Sequence, residues 1–448
     1  MVANLTLAAF LGGLVVSLVF GFPLVCALLF GLVLFIAYAR YMKIGVRNIA
    51  MLLAVGIKKS KNILMIFILI GFLTALWRAC GTIPFIVFYG MKLIIPPFFM
   101  VSVFFLCCFV SFLMGTSFGT ASTVGVICMI MAKLNGASPV LVGGAVLSGI
   151  FFGDRCSPMS SSASLVASLT ETKLYDNIRR MFLSCIVPFF LTCVLYQLLG
   201  GRAESSSGVS GLMDEFHQMF DLSWYVVIPA AVILILCMLK WDVKLVMAIS
   251  AVLSFLLCLL VQHMGVREVI SCMFAGFTPE GDSELVPLLS GGGLFSMINV
   301  GLIVLISSSY LGILEETGLL KNIQRILAGM SKKFGRFPAM CAAGIATSMF
   351  SCNQTLASML TCELCRGEYD NKEELALDLE DSVIVLAALI PWSIAGSVPL
   401  ATIGAGSMSF LFAFYLYLLP GWRILTEAIG KRRFKKGEKR DRWKKRND

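Results

Sequence analysis

Long apolar runs broken by short polar interruptions dominate the chain. They fall at 4–20, 22–39, 62–80, 97–115, 121–132, 138–152, 177–199, 223–239, 244–262, 294–314, 337–350, 382–392 and 398–420. A helix crossing the hydrocarbon layer needs about 20 such residues. Several runs reach that length and others cover only half of it. The pattern predicts an all-α polytopic membrane protein with about 11–13 transmembrane segments, some of them broken or re-entrant. Stretches 44–57 and 266–277 are shorter and amphipathic, so they are expected to lie at the membrane interface. Residues 200–210 (GGRAESSSGVS) are small and polar and read as a linker between halves. The expected organisation is N-terminal spans over 1–60, a first core over 61–200 and a linker over 201–222. Further spans follow over 223–290, then a second core over 291–420 and a basic tail over 421–448.

The halves resemble each other at an offset of about 235 residues. Met114, Thr116, Thr120 and Thr123 align with Met349, Ser351, Thr355 and Ser358, placing three hydroxyls on one helix face in each half. Pro158, Ser160 and Ser164 align with Pro391, Ser393 and Ser397. Loop charge predicts that the two repeats are inverted. Residues 40–61 hold Arg40, Lys43, Arg47, Lys58, Lys59 and Lys61 and no acid, whereas the counterpart near 277–298 holds Glu280, Asp282 and Glu284 and no base. Conversely, 84–97 has only Lys92 while 321–336 has five basic residues. Basic loops stay inside, and inverted repeats with interrupted helices mark secondary transporters.

Composition sharpens the class. Apolar residues make up 58% of the 448 residues and charged residues 14%, with a mean hydropathy of +0.90. Soluble domains carry about 25% charge, so a soluble enzyme, a coiled coil and a disordered chain are excluded. The net charge of +10 resides mainly in the last 18 residues, where 11 Lys/Arg meet 3 Asp/Glu. Such a block beside a final span predicts a cytoplasmic C-terminus that touches anionic lipid head groups, not nucleic acid. Most of the 15 cysteines lie within apolar runs. The one C-x-x-C, Cys362–Cys365, lacks the four ligands of a structural zinc site. No resident metal, cofactor or disulfide framework is expected. The apolar N-terminus lacks a basic leader and reads as a span, not a cleaved signal.

Candidate chemistry sits where the helices break. The first 153 residues contain no Asp or Glu. Asp154 opens the polar run Asp154-Arg155-Cys156-Ser157-Pro158-Met159-Ser160-Ser161-Ser162, and Pro158 interrupts any helix there. Irregular backbone at membrane depth is tolerated only inside protein or beside a water-filled cavity. Thr116-Ser117-Phe118-Gly119-Thr120 forms a second break, and its repeat partner adds Asn353, Gln354 and Thr355. Amide, hydroxyl and carbonyl oxygens suit a dehydrated Na⁺ or a zwitterion. Glu380, Asp381 and Ser382 precede the apolar run Val383–Ile390. They read either as an interfacial helix cap or as a proton or cation carrier. Trp392, after Pro391, is a candidate wall of a substrate cavity, with Ser393 beside it.

Four of these segments resemble the NhaC-type Na⁺/H⁺ antiporter family in order and spacing. They are Gly115–Gly125, Ser148–Ser160, Leu379–Ser382 and Leu389–Trp392, spread over about 70–200 and 290–420. The resemblance implies an ion-coupled exchanger of the bacterial inner membrane with sites on broken helices. It makes Asp154, Ser157, Ser160, Thr116, Thr120, Glu380 and Asp381 site candidates, with Na⁺ and H⁺ as transported ions. It also marks departures. Ser161-Ser162-Ala163-Ser164 stands where relatives read Asp-Thr-Thr-Asn, Asn353-Gln354 where they read Asp-Gln, and Ser393 where they read Asn. These neutral replacements leave a second reading open, an Na⁺- or H⁺-coupled transporter of an amino acid or small carboxylate on the same fold. A channel and a membrane hydrolase fit less well. The expected partners are the bilayer and, as an open alternative, a second copy in a homodimer.

Overall fold

In the computed structural model, residues 2–20, 22–93, 96–200, 219–239, 241–280, 285–317 and 335–429 are described. Among them the fold is nearly all helix, with one isolated bridge between Phe277 and Gly291. Six helices are long and apolar enough to cross a membrane, or eight when two bent pairs count as single spans. Three shorter apolar helices accompany them, Leu5–Ser17, Phe99–Met114 and Trp224–Met238. Full-length, bent and half-length apolar helices thus occur together, as the sequence pattern predicts. Most of the linker and all of the tail beyond residue 429 lie outside the described residues. The same holds for Asp282, Glu284 and the basic residues at 321–333, so much of the loop-charge pattern has no structural counterpart here.

Two expectations change. The segment 44–57 is not a separate interfacial piece. It continues through Lys58-Lys59-Ser60-Lys61 into one helix, Val46–Ala79, of 34 residues. At about 1.5 Å per residue this helix is ~50 Å long, and lysine and serine interrupt hydrophobicity without interrupting helix geometry. Likewise Glu380 and Asp381 do not cap a helix N-terminus. They end the helix Lys372–Asp381, where the macrodipole opposes negative charge. The apolar residues Val383–Leu386 then continue past a single irregular residue, Ser382.

The bends have local causes. Leu64–Ala79 turns by 66° into Thr82–Gly90, and Gly81 sits between them. Lys372–Leu389 turns by 53° into Ile394–Ile403, and Ile390 is held extended before Pro391.

Packing places the first acid. Helices Phe99–Met114 and Pro139–Cys156 meet along Gly149 and Gly153, four residues apart. A side chain at Gly153 would lie 2.3 Å from the backbone nitrogen of Phe112. Small residues at this spacing let membrane helices approach backbone to backbone, and Asp154 follows directly. A second cluster joins the N-terminal helices Val2–Phe20 and Leu24–Tyr41 to the second half through Phe10, Phe35 and Tyr310, with ring centroids 4.9–5.8 Å apart. On the outer helix Leu174–Gly200, Leu183, Phe190 and Leu198 are 65–73% exposed, the surface a lipid-facing helix presents.

Candidate functional site

Four helices each begin after a break in the chain. The helix Phe99–Met114 ends at Gly115 in the left-handed region (φ 65°), and Thr116 then caps the next segment from an extended conformation. Arg336–Ser351 ends in the same way at Cys352 (φ 53°), and Asn353 caps Gln354–Cys365. The backbone therefore matches Gly115 with Cys352, an offset of 237 residues, two more than alignment by hydroxyls gives. Ser160 caps Ser161–Thr170 and Ser393 caps Ile394–Thr402, both extended, with ψ of 131° and 137°. Each cap accepts from its own helix: Thr116 from Gly119 N–H at 3.5 Å, Ser160 from Ser162 and Ala163 at 3.1 and 3.2 Å, Asn353 from Thr355 at 2.9 Å, and Ser393 from Ala395 at 3.4 Å.

All four helix starts border one cavity of about 630 Å³. Thr116 and Ser117 come from the first, Ser161 from the second, Asn353, Gln354 and Thr355 from the third, and Ile394 and Ala395 from the fourth. Among the described residues Asp154 is the one carboxylate in its wall, and Ser60, Lys244 and Ser308 add to the polar lining. Asp154 is 4% exposed. Its two carboxylate oxygens accept from Ser160 Oγ and Gln354 Nε2, each at 3.5 Å, so one contact comes from each half. Gln354 Nε2 also donates to the Ile384 carbonyl at 2.9 Å, which fixes the amide. Ser162 Oγ donates to the Asp154 carbonyl at 2.9 Å.

The remaining candidates stand back from this cavity. Thr120 donates to the Thr116 carbonyl at 2.9 Å and stabilises the break from behind. Ser157 accepts from Met159 N–H within the turn. Ser382 donates to the Asp378 carbonyl at 2.6 Å. Trp392, expected to wall the cavity, instead donates to the Met349 carbonyl at 3.0 Å and packs in the Phe10–Tyr310 cluster. Trp392 lies in the turn directly after Pro391, before the helix Ile394–Thr402 begins. Asp381 is fully buried in an ion pair with Arg155 and also accepts from Ser184 at 3.2 Å. Glu380 is fully buried with neither carboxylate oxygen hydrogen-bonded.

Arg155 is the residue that sequence reading undervalued. Its guanidinium also donates to Ser184 Oγ at 2.8 Å and to the Met181 carbonyl and Tyr415 hydroxyl, each at 3.3 Å. Adjacent helix positions point about 100° apart, so Asp154 faces the cavity while Arg155 faces the helix Lys372–Asp381. An arginine inside an apolar helix is itself the signal of a buried charge that needs an anionic counterpart. Ser60 and Lys244 carried no such signal, because only the tertiary packing of their helices brings them to the cavity.

Comparison with known proteins gives the family. The chain is 27% identical over 418 residues to the Na⁺/H⁺ antiporter NhaC of Alkalihalophilus pseudofirmus, covering 91% of this chain and 90% of that protein. It is 26% identical over 436 residues to the malate-2H⁺/Na⁺-lactate antiporter of Bacillus subtilis, covering 94% and 93%. It is 27% identical over 379 residues to the arginine/ornithine antiporter ArcD of Halobacterium salinarum, covering 82% and 78%. Residues 149–431, well over half of the chain and including Asp154, Asn353 and Glu380, match the sequence profile of the Na⁺/H⁺ antiporter family, and this polytopic membrane protein belongs to that family.

Proposed function

We propose that the chain is a secondary active antiporter that exchanges Na⁺ for H⁺ by alternating access, with Asp154 as the shared acceptor. The observation that carries this reading is a single buried carboxylate in a cavity bordered by helix starts from both halves. Each helix N-terminus carries about half a positive charge, so the cavity favours one fixed negative charge, which Asp154 supplies. Oxygens of Thr116, Ser161, Asn353, Gln354 and Thr355 border the same space. They replace the hydration shell of a small cation beside Asp154, while a proton on Asp154 competes for the same charge. The two states exclude each other, which is the basis of exchange. Glu380, buried with both oxygens unpartnered, fits a group that hands a proton on. The matched breaks support two repeats of opposite orientation, so that rocking of one against the other exposes Asp154 alternately to each side. We place the protein in the bacterial inner membrane with its basic C-terminus in the cytoplasm against anionic lipid.

One observation favours a second reading. A cavity of about 630 Å³ lies in the range of small-molecule sites, ~300–1,000 Å³, and is larger than a bare cation needs. Its four helix starts suit the carboxylate of an amino or organic acid exchanged with Na⁺ or H⁺. Reconstitution in proteoliposomes separates the readings. Internal pH is recorded while Na⁺, Li⁺ and K⁺, and then amino and carboxylic acids, are added outside. Proton movement driven by Na⁺ alone is expected. Movement only when an organic acid is present would replace the first reading by the second.

A further inference from the structure

A second cavity, of about 220 Å³, shares no lining residue with the Asp154 cavity. Arg78 and Lys133 both line it, and among the described residues no Asp or Glu does. Arg78 lies near the end of the helix Val46–Ala79 and is only 8% exposed. Its Nη1 donates to the Thr74 carbonyl at 3.1 Å, and its Nε has no hydrogen-bond partner. Among the described residues it makes no ion pair. A buried guanidinium without a counter-charge is costly. The unused Nε–Nη2 edge is the planar fork that matches two oxygens of one anion. Gly291 abuts this edge. A Cβ there would lie 3.8 Å from Nη2 and 4.0 Å from Nε, so glycine leaves the fork uncovered. Lys133, exposed at the last turn of the helix Val126–Leu134, adds a second positive charge.

We infer that this cavity is an anion site that takes a small free carboxylate, held bidentately by Arg78 and neutralised further by Lys133. It is separate from the cation chemistry at Asp154 and does not depend on that reading. The size of the cavity limits the ligand to a compact organic acid, and its two cations suit a dicarboxylate better than a monocarboxylate.

The test is equilibrium binding to the purified full chain, with succinate as probe and acetate, inorganic phosphate and phosphatidylglycerol nanodiscs as the other arms. Saturable succinate binding is expected, tighter than that of acetate and not displaced by phosphatidylglycerol. Arg78→Gln should weaken it by about tenfold or more, and Arg78→Lys, which keeps the charge but not the fork, by a smaller factor. If Arg78→Gln does not fold, Lys133→Gln decides, since this exposed residue is replaced without disturbing the core. Absence of saturable succinate binding overturns the inference, as does binding that Lys133→Gln and the folded Arg78 variants leave unchanged. Preferential capture of phosphatidylglycerol or phosphate also overturns it, by assigning the fork to a lipid head group or an inorganic ion.

Discussion

The break at Gly115–Thr116 and the break at Cys352–Asn353 share a backbone but not a chemistry. In both, a helix ends in a left-handed residue, and the next residue is extended, with φ −147° and ψ 130° at Thr116 and φ −142° and ψ 126° at Asn353. Their side chains differ in kind. The first half brings hydroxyls to the cavity and, through the neighbouring helix, the carboxylate of Asp154. The second half brings the amides of Asn353 and Gln354, the hydroxyls of Ser308 and Thr355 and the amine of Lys244, but among the described residues no acid, since Asp381 is spent on Arg155 and Glu380 is enclosed elsewhere. The backbone device that ends and restarts a helix inside the membrane is thus present twice, whereas the carboxylate is present once. One carboxylate, Asp154, meets contacts from both halves, Ser160 from the first and Gln354 from the second.

The largest expected effect comes from removing that charge. Asp154→Asn keeps the shape, turns one of the two accepting oxygens into an amide donor and leaves the cavity without a carboxylate. Na⁺-driven proton movement in proteoliposomes is expected to fall to the level of protein-free vesicles, with normal insertion and yield. Near-normal exchange by this variant would shift the function to the second half and to Glu380.

Next in size is the ion pair that takes Asp381 out of the cavity. Asp381→Asn leaves the Arg155 guanidinium buried against a neutral partner, which costs about 3–5 kcal/mol. Unfolding in detergent should begin at a markedly lower temperature. The double variant Arg155→Met, Asp381→Leu should regain most of the loss, because an apolar pair of similar volume needs no counter-charge. Wild-type stability in Asp381→Asn combined with lost transport would return Asp381 to the transport path.

Much of this arrangement was legible in the sequence. The absence of any acid before Asp154 marked that residue, and Pro158 and Pro391 marked breaks whose matched backbone the structure displays. Site candidates adjacent to a break, Thr116, Ser117, Ser161, Asn353, Gln354 and Thr355, do meet in one cavity. Those assigned through composition alone fared differently. Glu380-Asp381-Ser382 looked like a helix start because apolar residues follow, yet helix geometry is set by backbone hydrogen bonds and ran through from Lys372. Lys58 and Lys61 looked like loop charges for the same reason, although they stand exposed on the continuous helix Val46–Ala79. Ser60 between them is buried and lines the cavity, which no local pattern announces. Local polarity reports where a helix is solvated, and only tertiary packing decides which neighbour a residue meets.

The smallest effect tests the shared backbone itself. Gly115 and Cys352 occupy equivalent left-handed positions, and there a residue with a side chain pays roughly 1–2 kcal/mol that glycine does not. Their surroundings are unequal. A Cβ on Gly115 would come within 2.4 Å of the Met159 carbonyl carbon, a backbone atom that cannot swing aside. The Cys352 side chain is accommodated, fully buried beside the Tyr310 hydroxyl at 3.3 Å. Gly115→Cys should therefore lose more than about 2 kcal/mol, as strain and overlap act together. Cys352→Gly relieves the strain but empties a packed position, and the two terms oppose, so its stability should stay within about 1 kcal/mol of the parent. Thermal unfolding of the two variants in the same detergent measures both. Equal losses in the two would mean that the Met159 turn moves freely, and the first break would then be no more constrained than the second.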